Sequence, residues 1–124
     1  NPYTPKLCER SIMNAKEINS EVLERLFKTI KSRYSESMYT SYTAKLFSEG
    51  RGKISCKLVE EATETIVAAL NEGDDKVISE SADLLFHLLV LWADVGVEPA
   101  HVWKELARRE GTSGIDEKEA RKEK

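Results

Sequence analysis

Several features that announce whole classes of protein are scarce in this 124-residue chain. It has two cysteines, Cys8 and Cys56, far apart and in no Cys-x-x-Cys or Cys/His spacing. Neither a disulfide framework nor a zinc site is indicated, and a reducing cytoplasm fits best. Positive charge is not in excess: 19 Lys+Arg against 22 Asp+Glu give a formal charge of −3. No global field therefore draws the chain to nucleic acid or to an anionic membrane, and any anion it binds must be held locally. The longest apolar run, Leu84 to Ala93, is broken by His87 and is about half the ~20 residues of a membrane span. The first residues are polar, include Pro2 and Pro5 and contain no apolar stretch, so no signal peptide is read there. Residues 1–17 are expected to form a poorly ordered N-terminal extension. Strand-like alternation, Asn-Gly hairpin signals and internal repeats are also missing, and the length leaves room for one domain of roughly 50 to 250 residues.

What remains is helical periodicity. Ile18, Val22, Leu26, Ile30 and Tyr34 recur on one face, with Leu23 and Phe27 beside them and Asn19 or Ser20 as candidate caps. Ser35–Thr40 reads as a polar loop, followed by a short helix over Ser41–Glu49 that Gly50 ends. A helix from Lys53 to Asn71 carries the stripe Ile54, Leu58, Ala62, Ile66, Ala69 and Leu70. Gly73 separates it from a helix over Asp75–Val95, which is apolar almost all round after Leu84 and is expected to be the most buried element. Pro99 opens a last helix to Arg109. The pattern predicts an all-α domain of about five helices over residues 18–110. The alternating charge of residues 111–124 predicts a solvated C-terminal tail.

The chemistry is concentrated on the two central helices. Lys57, Glu60, Glu61 and Glu64 share one sector of the first, at about 100° per residue. Lys76, Glu80, Asp83, His87 and Asp94 form a narrow polar line down the second, on an otherwise apolar rod. A short turn at Gly73 makes the pair antiparallel. Glu64 lies nine residues before that glycine, and Glu80 and Asp83 lie seven and ten after it. At 1.5 Å per residue all three sit about 10 to 15 Å from the turn, so four or five carboxylates can face one pocket. Like charges about 5 Å apart repel by ~3 kcal/mol at an effective dielectric near 20, and a cation is expected among them. Donors that are all oxygen suit Mg2+, with Mn2+ as the alternative, and Mg2+ commonly bridges carboxylates to substrate phosphates. Lys45, Arg51, Lys53 and Lys57 surround the Gly50-Arg51-Gly52 turn at a helix N-terminus, a combination suited to cradling phosphate. His87 reads either as a hydrogen-bonded core histidine or as a group acting behind the ligands or on phosphate. Trp92 and Trp103 read as core or interface residues.

These residues also carry a resemblance. Ser41-Tyr42-Thr43-Ala44-Lys45-Leu46, Gly50 to Lys53, Lys57-Leu58-Val59-Glu60-Glu61-Ala62-x-Glu64 and Glu80-x-Ala82-Asp83-Leu84-Leu85-Phe86-His87-Leu88-Leu89-Val90-Leu91 resemble the phosphoribosyl-ATP pyrophosphatase family. That family lies within the all-α, MazG-like nucleotide pyrophosphatase superfamily. The resemblance spans about Leu23 to Arg109 and implies a four-helix-bundle core completed by dimerisation. It also implies Mg2+-dependent hydrolysis of 1-(5-phosphoribosyl)-ATP to phosphoribosyl-AMP and pyrophosphate, the second step of histidine biosynthesis. By the same resemblance Glu61, Glu64, Glu80 and Asp83 look like metal ligands, and Glu60 like a further ligand or the base that positions water. Lys45, Arg51, Lys53 and Lys57 look like phosphate or ribose contacts, with Ser41, Tyr42, Thr43 and His87 nearby. Val59 departs from the family pattern, which usually has Gly there. Other readings are a pyrophosphatase for ordinary nucleotides, a di-iron bundle and a non-enzymatic dimerisation module. The di-iron reading is weakened because Glu98-Pro99-Ala100-His101 alone has Glu-x-x-His spacing.

Overall fold

The computed structural model describes residues 17–122, which form six α-helices and, among the described residues, no strand. They are α1 (Val22–Ser32), α2 (Tyr42–Glu49), α3 (Arg51–Asn71), α4 (Asp74–Val95), α5 (Pro99–Arg109) and α6 (Gly114–Lys122), with a 3-10 turn at Arg33–Ser35 after α1. The expected extension over residues 1–17 lies almost wholly outside the described residues.

The frame is the hairpin of α3 and α4. Their 21 and 22 residues make rods of about 31 and 33 Å at 1.5 Å per residue. Only Glu72 and Gly73 join them, and both N–H groups of that link donate to the Ala68 carbonyl, at 2.9 and 3.2 Å. Gly73 has φ +97°, a conformation that side chains with a Cβ resist, so the tight reversal requires glycine there.

One end of the hairpin is covered and the other is bare. Phe27 and Ile30 of α1, Leu46 of α2, Ile54 of α3, and Leu89 and Val90 of α4 form the buried core. Phe47, Phe86 and Trp92 pack against it. α5 is tied on by Trp103, whose indole N–H donates to Glu24 at 2.6 Å, and by the 2.9 Å pair of Lys31 with Glu98. Trp92 and Trp103 meet edge to face at 6.0 Å, as core residues do. Beyond this, Val59, Ile66, Val67 and Leu70 of α3 and Ile78 of α4 remain exposed. No helix of the described residues is long and apolar enough to cross a membrane.

Three expectations change. The first helix starts at Val22, with Ile18 fully exposed. The Asn19 carboxamide instead accepts from the Glu21 N–H at 2.8 Å in a preceding turn, because none of the described residues packs against Ile18. Second, α4 is not the most buried element within one chain. It buries His87, Leu89 and Val90, no more residues than the far shorter α2, because most of its first half, from Asp74 to Leu84, is exposed. Third, the charged segment after Gly111 is not simply a solvated tail. It forms α6, with Glu117 buried and paired to Arg108 at 2.7 Å, Arg121 at 3.6 Å and Arg109 at 3.9 Å. Charge alternation reads as solvated in a lone helix, yet arginines of α5 convert it into a docking contact. Glu105 joins the same network. Hydrogen bonds from Arg108 and Arg109 hold its pKa down to about 2.

Glu117→Ala removes the acceptor these arginines share. Amide exchange across residues 114–122 is expected to rise roughly tenfold, which corresponds to about 1.4 kcal/mol, with the Tm of the core almost unchanged. Equal exchange in variant and wild type would show that Glu117 does not dock α6.

Candidate active site

Register on the hairpin delivers the acidic side chains. Glu61 and Glu64 are one turn apart on α3, and the two-residue link brings Glu80 of α4 to their height. Each of the three offers one carboxylate oxygen, and these atoms lie within 4.8 Å of one another. Glu61 is only 8% exposed. One oxygen each of Glu61 and Glu80, Oε2 in both cases, is buried without a hydrogen-bond partner.

The electrostatics follow from that crowding. The Glu61 carboxyl is pushed up from the usual carboxylate range, first by burial, then by the charge of Glu64 and a hydrogen bond with it, then by Asp83, while Lys57 opposes the rise. The Glu80 carboxyl is also raised, first by its hydrogen bond with Glu64, then by burial and by the charges of Glu64 and Asp83, with Lys76 opposing. Two carboxyl groups share a hydrogen bond only when one of them holds a proton. A small divalent cation answers the same need: it takes hard oxygen donors, supplies positive charge and would partner the two orphaned oxygens. The residues present therefore fit Mg2+ or Mn2+.

Other expected site residues divide by position. Asp83 acts on Glu61 and Glu80 through its charge, but its exposed side chain is not among the three converging groups. Glu60 points to Lys57 instead, their side chains pairing at 3.1 Å, and this contact is the main reason the Lys57 ammonium is held above its ordinary range. His87 is buried; Nδ1 donates to the Asp83 carbonyl at 2.8 Å and Nε2 lies 3.2 Å from the Tyr42 hydroxyl. Since that carbonyl can only accept, Nδ1 carries a proton, and Nε2 shares the other hydrogen bond with the Tyr42 hydroxyl. Both nitrogens are thus engaged, and His87 ties α2 to α4 from behind the acidic cluster. Tyr42 itself is half exposed, and its phenol is held above the usual range first by burial, with Glu61, Glu49 and Glu60 adding to the effect and Lys57 opposing it.

Ser41 is occupied as the N-cap of α2, accepting from the Ala44 N–H at 3.1 Å, and Thr43 is buried. Lys45 and Lys53 are exposed. Arg51 lies elsewhere: Nε donates to Asp94 Oδ2 at 2.7 Å and a terminal nitrogen donates to the Asp94 carbonyl at 3.2 Å. Ten residues separate it from Glu61, about 15 Å along α3. Sequence reasoning missed Tyr34, which accompanies this pair with its hydroxyl 3.3 Å from Asp94 Oδ1. It also missed the loop residues Glu36 and Met38 near it. No periodicity marks a loop residue, so nothing in the pattern singles them out.

An all-α hairpin with an oxygen-only acidic pocket, flanked by lysines, defines a class of helical carboxylate protein whose converging residues fit a divalent cation. Within it, the chain belongs to the phosphoribosyl-ATP pyrophosphohydrolase family, whose model matches residues 23–110, and it is accordingly a hydrolase. It is 63% identical over 106 residues to the phosphoribosyl-ATP pyrophosphatase of Paramagnetospirillum magneticum, covering 86% of this chain and 97% of that protein. It is 62% identical over 102 residues to the protein of the same name from Rhodospirillum rubrum, covering 82% and 87%. The corresponding figures for Azospirillum brasilense are 56% over 106 residues, 86% and 96%.

Raised carboxyl groups make stability depend on pH in a defined direction. Where the folded pKa lies above the unfolded value, the native state holds more protons, so stability falls as pH rises from about 4.5 through the folded pKa. In chelator, the Tm of the wild type is expected to drop over that window. Glu61→Gln should flatten the drop and melt higher at pH 8. Identical Tm profiles for the two proteins would contradict the crowding described here.

Proposed function

We propose that the chain hydrolyses 1-(5-phosphoribosyl)-ATP between the α and β phosphates, in a Mg2+-dependent reaction that yields 1-(5-phosphoribosyl)-AMP and pyrophosphate, the second step of histidine biosynthesis. The observation that carries this reading is the convergence of Glu61, Glu64 and Glu80, with two buried oxygens lacking partners. The names of its relatives support the choice of substrate.

Glu61, Glu64 and Glu80 would hold the cation, with Asp83 adding charge beside them. When bound, the cation neutralises charge on the phosphate oxygens and makes a coordinated water more acidic. Lys57, one turn before Glu61, contributes a cation at the edge of the acidic pocket. Lys45 and Lys53, exposed around Gly50, are free to reach the polyphosphate chain. Glu60, paired with Lys57, would turn from that pair to orient the attacking water and take up its proton. Water oxygen bonds to one phosphorus, the bridging bond breaks, and pyrophosphate departs. Tyr42 and His87 keep α2 fixed against α4, so that both walls of the site stay in register.

A homodimer belongs to this proposal. Val59, Ile66, Leu70 and Ile78 leave an apolar surface on the hairpin that one chain does not cover, and such surfaces mark association sites. Leu70→Glu is expected to shift the mass in analytical ultracentrifugation from two chains to one; an unchanged mass would remove this face from the interface.

The hydrolytic reading is tested at Glu64, which is exposed and so can be truncated without a cavity. Glu64→Ala should lower pyrophosphate release by roughly a thousandfold or more while the far-ultraviolet dichroism stays native. Mg2+ at about 100 times its Kd should stabilise the wild type by ~2.7 kcal/mol and the variant by much less. Near-normal turnover in E64A would sink the assignment.

A further inference from the structure

Neither the acidic cluster nor the core accounts for an open cleft of about 310 Å3 lined by Tyr34, Glu36, Met38, Ala44, Phe47 and Ser48. The rings of Tyr34 and Phe47 stack with centroids 3.8 Å apart and planes 12° from parallel, which makes them one aromatic wall. Tyr34 is half exposed, yet its hydroxyl is held by Asp94, and Asp94 is gripped in turn by Arg51. Fixing a half-exposed tyrosine at its tip costs side-chain freedom and gives a rigid stacking surface in return. Two polar groups complete the lining. Glu36 uses Oε2 on Arg33 at 2.8 Å in a half-exposed pair of small energetic weight, and the Ser48 hydroxyl donates to the Lys45 carbonyl at 2.8 Å. Apolar walls, a few polar groups and a volume of about 300 Å3 meet the description of a small-ligand site.

The cleft is coupled to the acidic pocket through α2. Tyr42, at the start of this helix, is hydrogen-bonded to His87 behind the carboxylates, while Ala44 and Phe47 of the same helix line the cleft. Five residues separate Tyr42 from Phe47, about 7.5 Å along the axis.

We infer that this cleft seats the N1-substituted adenine ring of the substrate and selects it by its positive charge, an inference that rests on the phosphoribosyl-ATP reading above. A glycosyl group on N1 of adenine turns the exocyclic nitrogen into part of an amidine, and amidines hold a proton at neutral pH. The substituted ring is therefore a cation, whereas the adenine of ATP is neutral. A face of Tyr34 or Phe47 attracts a flat cation through its quadrupole, and the Glu36 carboxylate complements the charge. The guanidinium of Arg51 does not oppose it, because Asp94 neutralises that group. Tyr34, Phe47 and Glu36 are thus specificity residues, and Arg51 and Asp94 are positioning residues for Tyr34.

The test is an equilibrium titration of the full metal-free chain with AMP and with 1-methyl-AMP, whose ring is cationic, followed through the ring resonances of Tyr34 and Phe47. In the wild type 1-methyl-AMP should bind about tenfold tighter than AMP and shift both rings. Glu36→Gln should bring the ratio close to one with the AMP affinity unchanged. Ser48→Trp, at an exposed position, should weaken both nucleotides at least about tenfold with the Tm retained. Equal affinities in the wild type, a ratio that survives in E36Q, or rings that do not shift would each overturn the inference. Pyrophosphate release from phosphoribosyl-ATP, measured alongside, separates the two readings. Absent release with a preserved affinity ratio refutes the hydrolytic reading and supports the cationic cleft; normal release with equal affinities does the reverse.

Discussion

Three carboxyl groups are held closer together than their charges allow, and they are held there by a two-residue link. Because Glu72 and Gly73 permit no slack, Glu64 and Glu80 must meet at one height, and Glu61 must face them from a buried position. The crowding pushes the carboxyl groups of Glu61 and Glu80 up from the usual carboxylate range, and two oxygens stay buried and unpartnered. A fold that tolerates such a defect has a reason for it, since a buried polar atom without a partner costs on the order of 1–3 kcal/mol.

The molecule sets that cost off spatially. Its apolar core, from Phe27 to Val90, lies at the end of the hairpin where α1 and α2 cover it. The acidic side chains occupy the stretch where α3 and α4 face each other largely alone. The buried core and the acidic cluster thus occupy different stretches of the same two rods. α2 spans the boundary: Leu46 is sealed in the core, Tyr42 reaches His87, and Phe47 forms half of an aromatic wall. That short helix is capped by its own Ser41, so a residue within the most recognisable motif serves the backbone before it can serve any ligand.

Much of this was legible in the residues. From the second helix to the fifth, helix ends followed their signals to within about two residues, with Gly50, Gly73 and Pro99 falling where the chain turns, because caps and breakers act over a few residues and need no tertiary information. The level arrangement of Glu64 and Glu80 was likewise accessible, since it depends only on helix rise and on the shortness of the link. Less legible were the contacts between residues distant in sequence. Arg51 looked like part of a phosphate cradle, yet it is spent on Asp94, 43 positions away. The charged C-terminal segment looked solvated, yet Glu117 is buried among arginines of the preceding helix and its own. Thr43 sits inside a run of polar residues and is nevertheless buried.

By itself, then, the sequence determined the all-α class, the hairpin, the acidic stripe and the family, because periodicity, breakers and local motifs are properties of neighbours along the chain. Tertiary structure decided which carboxylates actually converge, that Glu60 turns to Lys57 rather than to them, and that Tyr34, Glu36 and Phe47 wall a cleft of their own. The physical reason is that side-chain direction depends on which elements pack against it, and packing joins residues whose separation along the chain carries no signal of their contact.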